Sequence, residues 1–244
     1  YVRTRTGRHI AIRPNQWAQG LRLCQGEPGT VFSDEGAIYL PAELDVFSNQ
    51  HANQNLYIIL VKFESACLEF GTFDFDAEKS LTEYRSRYPG ESGTPERRLL
   101  PTDKAPSELA RFLNMFDEPK LAADLFNIYE HTRQRLLLSA NYPGIIHHAL
   151  PIMQSEMMRI MTDNAQGHLL NQLYARAALD MDSMSANNLD SHFNSEIETI
   201  QKELIPDLVA WPVVETSGVS VLRTYEQIKK LLPSQMLCGA GQSY

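Results

Sequence analysis

The stretch "LYIILVKFESACLEFGTFDFD", residues 56–76, decides how the chain is read. Its apolar positions Leu56, Ile59, Leu60, Phe63, Cys67 and Phe70 follow the i, i+3, i+4, i+7 spacing of a helix, and Tyr57, Ile58 and Val61 make the first turns apolar nearly all round. A helix buried on most sides is expected. One carboxylate, Glu64, stands in its middle. In a zinc-peptidase H-E-x-x-H helix the two histidines lie four residues apart on one face, and the glutamate polarises the metal-bound water. Here those positions read Phe63-Glu64-Ser65-Ala66-Cys67: Glu64 keeps the place of the base, Cys67 offers a thiolate and Phe63 cannot ligate. Taken alone, a single glutamate in a helix is most often an ordinary paired carboxylate.

Upstream of this helix, "HIAIR" (9–13) alternates, and "TVFSDEGAIYLP" (30–41) sets two β-prone runs around Asp34-Glu35-Gly36, a hairpin signal. Downstream, residues 72–106 combine prolines, glycines and many charges, the composition of a mobile surface excursion. A short helix is expected over 107–116. Asp117-Glu118-Pro119 then reads as a helix start, with Asp117 capping the free N–H groups and Pro119 in the first turn. This second helix should run to about Ser139 and stop at Tyr142-Pro143-Gly144. Beyond it, 148–164, 167–181 and 194–211 carry helical periodicity, and Pro212 closes the last of these helices. The fold class expected is α+β and predominantly helical, a small N-terminal β-hairpin followed by a helical bundle.

The 244 residues are 43% hydrophobic and 21% charged, enough for a core without staples. A formal net charge of −8 argues against nucleic acid as a partner, because a polyanion is neutralised by clustered Lys and Arg. Cys24, Cys67 and Cys238 show no C-x-x-C spacing, so neither a disulfide framework nor a zinc knuckle is indicated and a cytoplasmic setting fits. No apolar window is long enough to span a bilayer. Neither a phosphate-binding G-x-x-x-x-G-K-[ST] nor a G-x-S-x-G elbow occurs.

A second candidate for chemistry is "LFNIYEHTRQRL" (125–136), where Glu130 and His131 are possible ligands and Glu130 pairs at i, i+3 or i, i+4 with Arg133 or Gln134. The bland reading is a weak surface pair. His147-His148 are adjacent and point about 100° apart, a poor fit for one ion. "DMDSMSANNLD" (180–190) lacks the glycine and terminal glutamate of a calcium loop and is read as a polar interhelical loop. Met153, Met157, Met158 and Met161 form a soft stripe that suits a core better than a partner helix.

Taken together, "GAIYLPAELDVFSNQHANQNLYIILVKFESACLEFGTFDFD" (36–76) and "EPKLAADLFNIYEHTRQRLLLSANYPGI" (118–145) resemble the region that precedes the von Willebrand A domain in the NorD and CbbO proteins, and more distantly the cobaltochelatase subunit CobT. The match lies in Glu69-Phe70-Gly71-Thr72-Phe73, in Leu125, Phe126, Ile128, Glu130 and Arg133, and in Tyr142-Pro143-Gly144. His131 and Arg135 stand where that family has acids. The resemblance covers roughly residues 30–146. It implies a degenerate zincin-like arrangement and adaptor work beside a MoxR-type AAA+ ATPase, coupling its ATP-driven remodelling to a target metalloenzyme.

Phe63 and Cys67 replace both histidines and Arg135 adds positive charge, so no metal, cofactor or catalytic residue is expected. Phe63, Glu64, Cys67, Glu130, His131 and Arg133 are read instead as a vestigial metal site or structural polar node, with Arg133 holding Glu64 across the two helices. Residues 1–150 are read as the hairpin and two-helix zincin-like core with the mobile insertion at 72–106. Residues 151–244 are read as a helical extension packing on the same domain, the whole an excerpt of a longer chain. The competing readings are a metal-dependent hydrolase, with Glu64 as base and Cys67, Glu130 and His131 as ligands, and an orphan helical scaffold.

Overall fold

The computed structural model describes residues 7, 9–14, 31–89, 105, 107–163, 169–181 and 193–232. Among them are a three-stranded sheet and eight α-helices, a predominantly helical α+β fold. Cys24, Cys238, residues 90–104 of the expected excursion and 182–190 of the polar loop lie outside the described residues.

The hairpin forms where the sequence places it. Strands β2 (Phe32–Ser33) and β3 (Ala37–Leu40) pair antiparallel, and Asp34 turns the chain by accepting the Gly36 and Ala37 N–H groups at 2.8 and 2.7 Å. What the hairpin signal did not show is that β1 (Ala11–Pro14) lies parallel on the other side of β3, giving the order β1-β3-β2. Strand alternation divides the faces. Val31 and Ile38 pack with Leu68, while Ala37 and Tyr39 face the other way, with Tyr39 stacked on Phe32 at 4.7 Å.

Helix α1 (Gln50–Glu69) starts six residues before the apolar run, because the Asn49 side chain accepts the His51 and Ala52 N–H groups. It ends where Gly71 takes a left-handed φ of 70° and feeds a 3-10 turn, Thr72–Asp74. The stretch expected to be a mobile excursion begins instead with helix α2 (Ala77–Arg87), capped by Asp76 and burying Ala77, Ser80, Leu81 and Tyr84. Its apolar residues are too few to outweigh the surrounding charge in composition, yet they fall on one face. Helix α3 spans Glu108–Leu113 and α4 spans Pro119–Asn141. Asp117 does not cap α4; its carboxylate pairs with Lys229 at 2.8 Å, and the Glu118 N–H is taken by the Tyr225 hydroxyl. After the break at Tyr142 come α5 (Pro143–Asp163), α6 (Leu169–Ala177) and α7 (Asn194–Ala210). Position 150 falls inside α5. No helix among the described residues is long and apolar enough to cross a membrane.

Helix α8 (Val214–Leu231) lies beyond the point where the sequence signals end, and it is central to the core. Its first nine residues, Val214 to Leu222, are all buried. Valine, serine, threonine and glycine are weak helix formers, so local propensity hides it. Burial supplies what propensity lacks. Ser220 and Thr224 bond back to carbonyls one turn earlier, which satisfies hydroxyls that the core would otherwise penalise. The same core gathers Phe75, Leu81, Phe112, Leu125, Phe126, Leu173, Ile197, Val221, Tyr225 and Ile228 from the chain before α2 and from α2, α3, α4, α6, α7 and α8. A smaller cluster of Ile59, Phe63, Ala66, Leu138, Ile146 and Ala149 joins α1, α4 and α5.

Gly218 sets how closely α2 approaches α8. A Cβ there would lie 2.4 Å from Ser80 Oγ and 2.8 Å from the Phe75 ring, and Ser80 Oγ also donates to the Glu215 carbonyl at 3.2 Å. Gly218→Ala gains about 1 kcal/mol of helix propensity but overpacks this crossing at a cost of about 1–3 kcal/mol. A lower melting temperature is expected for the variant, and a higher one would refute the close crossing.

Candidate functional site

Arg133 and Glu130 face the junction of α1, α4 and α8, one turn apart on α4, and are 1% and 3% exposed. The buried pair is tied into five chain segments. Arg133 Nε donates to Glu130 Oε2 at 2.8 Å, and Nη2 reaches Glu130 Oε1. Nη1 donates to the Phe70 carbonyl at 3.1 Å, just past α1, and to the Pro212 carbonyl at 3.0 Å, between α7 and α8. Glu130 also accepts the Thr72 hydroxyl from the 3-10 turn and the Ser217 hydroxyl from α8, the latter at 2.8 Å. Gln134 Nε2 donates to Thr72 Oγ1 at 2.9 Å and to Cys67 Sγ at 3.1 Å. Burial alone would raise the Glu130 pKa. The Arg133 hydrogen bonds and charge, with the Thr72 and Ser217 hydroxyls, outweigh that and hold it below the usual carboxylate range.

Glu64 sits apart from Arg133. The expected pair across α1 and α4 is not made: among the described residues, Glu64 Oε2 accepts the Ser33 hydroxyl of β2 at 2.6 Å and a weak contact from the Cys67 thiol at 3.9 Å. Among the described residues, its link back to the node runs through Cys67 and Gln134. Among the described residues no cation pairs with it, and burial pushes the Glu64 carboxyl up to about 7, against the opposing pull of the Ser33 and Cys67 hydrogen bonds. Cys67 is raised well above the usual thiol value by its own burial first and by Glu64 second, so it is a neutral thiol.

The remaining candidates diverge. Phe63 packs in the α1–α4–α5 cluster. His131 follows Glu130 by one residue, so its ring points to α6, edge-on to Tyr174 with Nδ1 3.3 Å from the Tyr174 hydroxyl, and burial lowers its pKa. Arg135 lies at the end of α6, 3.4 Å from the Ala177 carbonyl and 3.5 Å from Asp180. Among the described residues no three His, Cys, Asp or Glu side chains converge where they would hold a metal ion, so Cys67, Glu130 and His131 do not form a joint ligand set. A shallow groove of about 440 Å³ on α5, lined by Ile146, His147, Leu150 and Pro151, contains none of the candidates.

Sequence reasoning missed Ser217, because α8 was missed, and the carbonyls of Phe70 and Pro212, which no side-chain pattern can reveal. Thr72 was visible within the E-F-G-T-F turn, though not its role. The fold and this junction define a helical α+β protein with a sealed polar node. Against known proteins the chain finds no match: no family model, no curated protein and no solved structure.

The two carboxylates act oppositely on stability. Glu130, depressed in the fold, stabilises above its usual value of 4.5, and that contribution is lost as pH falls through its lowered pKa. Glu64, raised from 4.5 to about 7, lets the fold keep its full stability below 4.5 and lose part of it as pH rises towards 7. Asp124, raised to about 6 by burial, acts in the same direction as Glu64. Urea unfolding of Glu64→Gln is expected to match the native chain near pH 4 and to exceed it above pH 7 by up to about 3 kcal/mol. An equal difference at both pH values would contradict this assignment.

Proposed function

We propose that the chain is a non-catalytic interaction domain, an adaptor of the NorD/CbbO kind that works in the cytoplasm beside a MoxR-type AAA+ ATPase and a target metalloenzyme. The observation that carries this reading is the hydrogen bond from Arg133 to the Pro212 carbonyl. It fixes from inside the turn that carries Trp211 and Val213, which with Val209 at the end of α7 are 48%, 44% and 60% exposed. The acid and base that resemble chemical groups are spent on each other and on the backbone, while large apolar side chains stand outside on a held turn. Arg87 lies over the Trp211 ring at 4.1 Å and steadies it. Exposed tryptophan on a rigid support is the residue type that dominates protein interfaces.

The resemblance suggests the partners, and the exposed apolar side chains beside Pro212 support the reading. Binding of the purified protein to its MoxR-type ATPase, followed by titration calorimetry, tests the reading. Trp211→Ala is expected to weaken that binding by about tenfold or more while leaving the melting temperature within a few degrees. Absence of binding by the native chain would overturn it, as would a retained stoichiometric zinc with peptidase activity.

A further inference from the structure

Where α7 ends, the chain is apolar on the outside and already hydrogen-bonded on the inside. Residues 209–213, Val-Ala-Trp-Pro-Val, are exposed without interruption. The Trp211 carbonyl accepts the Thr216 hydroxyl at 2.7 Å, the Pro212 carbonyl accepts Arg133 at 3.0 Å and the Val213 carbonyl accepts the Thr216 N–H at 3.1 Å. The Trp211 N–H is spent on the Asp207 carbonyl. An added β-strand gains little on a backbone so occupied, whereas a helix, which satisfies its own backbone, can lay an apolar face on these side chains.

Around these residues the two signs of charge stand at different depths. The Arg87 guanidinium lies over the Trp211 ring at 4.1 Å and pairs with Glu83 at 3.1 Å; its side chain is 14% exposed against 40% for the glutamate. Arg223 repeats the arrangement over the Tyr88 ring at 4.2 Å, paired with Glu203 at 2.7 Å and 17% exposed against 55%. Asp207 turns inward to Arg223 and to the Tyr88 hydroxyl. Stacking suits a guanidinium, which is weakly hydrated and planar, so both arginines are drawn onto rings and their carboxylates stay at the surface. Lys202 is exposed on the same side of α7, but it is bridged to the exposed Glu198 at 3.7 Å. The edge that a partner meets first is acidic, and the chain as a whole carries −8. We propose that the Trp211 turn receives a basic amphipathic helix of a partner protein, its apolar face on Val209, Trp211 and Val213 and its lysines or arginines beside Glu83 and Glu203. This rests on the reading of the turn as an interaction surface and adds the chemistry of the segment that it takes. The same acidic edge repels nucleic acid, anionic lipid and a second copy of the chain.

Two synthetic helical peptides test the site, both with leucines at i, i+3, i+4 and i+7, one carrying lysine and the other glutamate at the remaining positions. In the whole chain with Trp17→Phe, Trp211 is the fluorescent reporter. The lysine peptide is expected to shift its emission to the blue and to bind about tenfold or more tighter than the glutamate peptide, an advantage that shrinks as salt rises. Glu83→Gln with Glu203→Gln should weaken the lysine peptide by roughly tenfold while the melting temperature stays within a few degrees, since exposed ion pairs contribute little to folding. By calorimetry, Trp211→Ala should weaken it by about tenfold or more, which general attraction to an acidic chain would not do. Equal affinity for the two peptides, indifference to the paired glutamine variant, or full binding by Trp211→Ala overturns the proposal. The MoxR-type ATPase separates this proposal from the function proposed above. If it binds the native chain and the paired glutamine variant equally, the interaction domain stands and the basic helix falls. If it does not bind while the lysine peptide does, the ATPase reading falls and the helix site stands.

Discussion

A buried guanidinium can be held only if its donors are used, and that constraint organises this fold. Arg133 meets it with Glu130 on its own helix and with the carbonyls of Phe70 and Pro212, two chain ends that hydrogen bonding within helices would leave open. The α1 terminus, the 3-10 turn, α4, the α7–α8 turn and α8 are therefore fixed relative to one another by one side chain and its carboxylate. Lysine has the charge but not the planar fork to do this. Breaking such a pair exposes an uncompensated charge in the interior, which is far more costly than the net strength of the pair suggests.

Around this tie the packing divides the labour. Phenylalanines, leucines and β-branched residues of the main core hold α2, α3, α4, α6, α7 and α8, and Gly218 admits α2 close to α8. The second cluster seats α1 and α5. The sheet packs on α1, where the seam contains Glu64, a carboxylate without an ion pair among the described residues. A buried charge needs a partner: Glu130 has Arg133, whereas among the described residues Glu64 is met by the Ser33 hydroxyl and the Cys67 thiol.

How much of this was legible in the sequence differs from element to element. The hairpin at Asp34, the start of α4 at Pro119 and the stop at Tyr142 rest on local chemistry, and local chemistry is what a sequence displays; α1 is less buried than its apolar first turns imply, since it buries one face and leaves Ile58 44% exposed. Helix α2 was hidden by charged neighbours, and α8 by β-branched and small residues whose helical state depends on burial. Glu130 with Arg133 was legible as an i, i+3 pair because both lie on one helix. The partner of Glu64 was not, since opposite charges in a sequence do not say which helix faces each meets, and Ser33 approaches from a strand thirty-one residues away.

The account stands most directly on the urea unfolding free energy of Arg133→Lys at neutral pH. It predicts a loss of about 3–5 kcal/mol, because lysine cannot reach Glu130, Phe70 and Pro212 together. A loss below about 1 kcal/mol, the size expected of an exposed ion pair, would contradict the claim that this side chain ties the helices together.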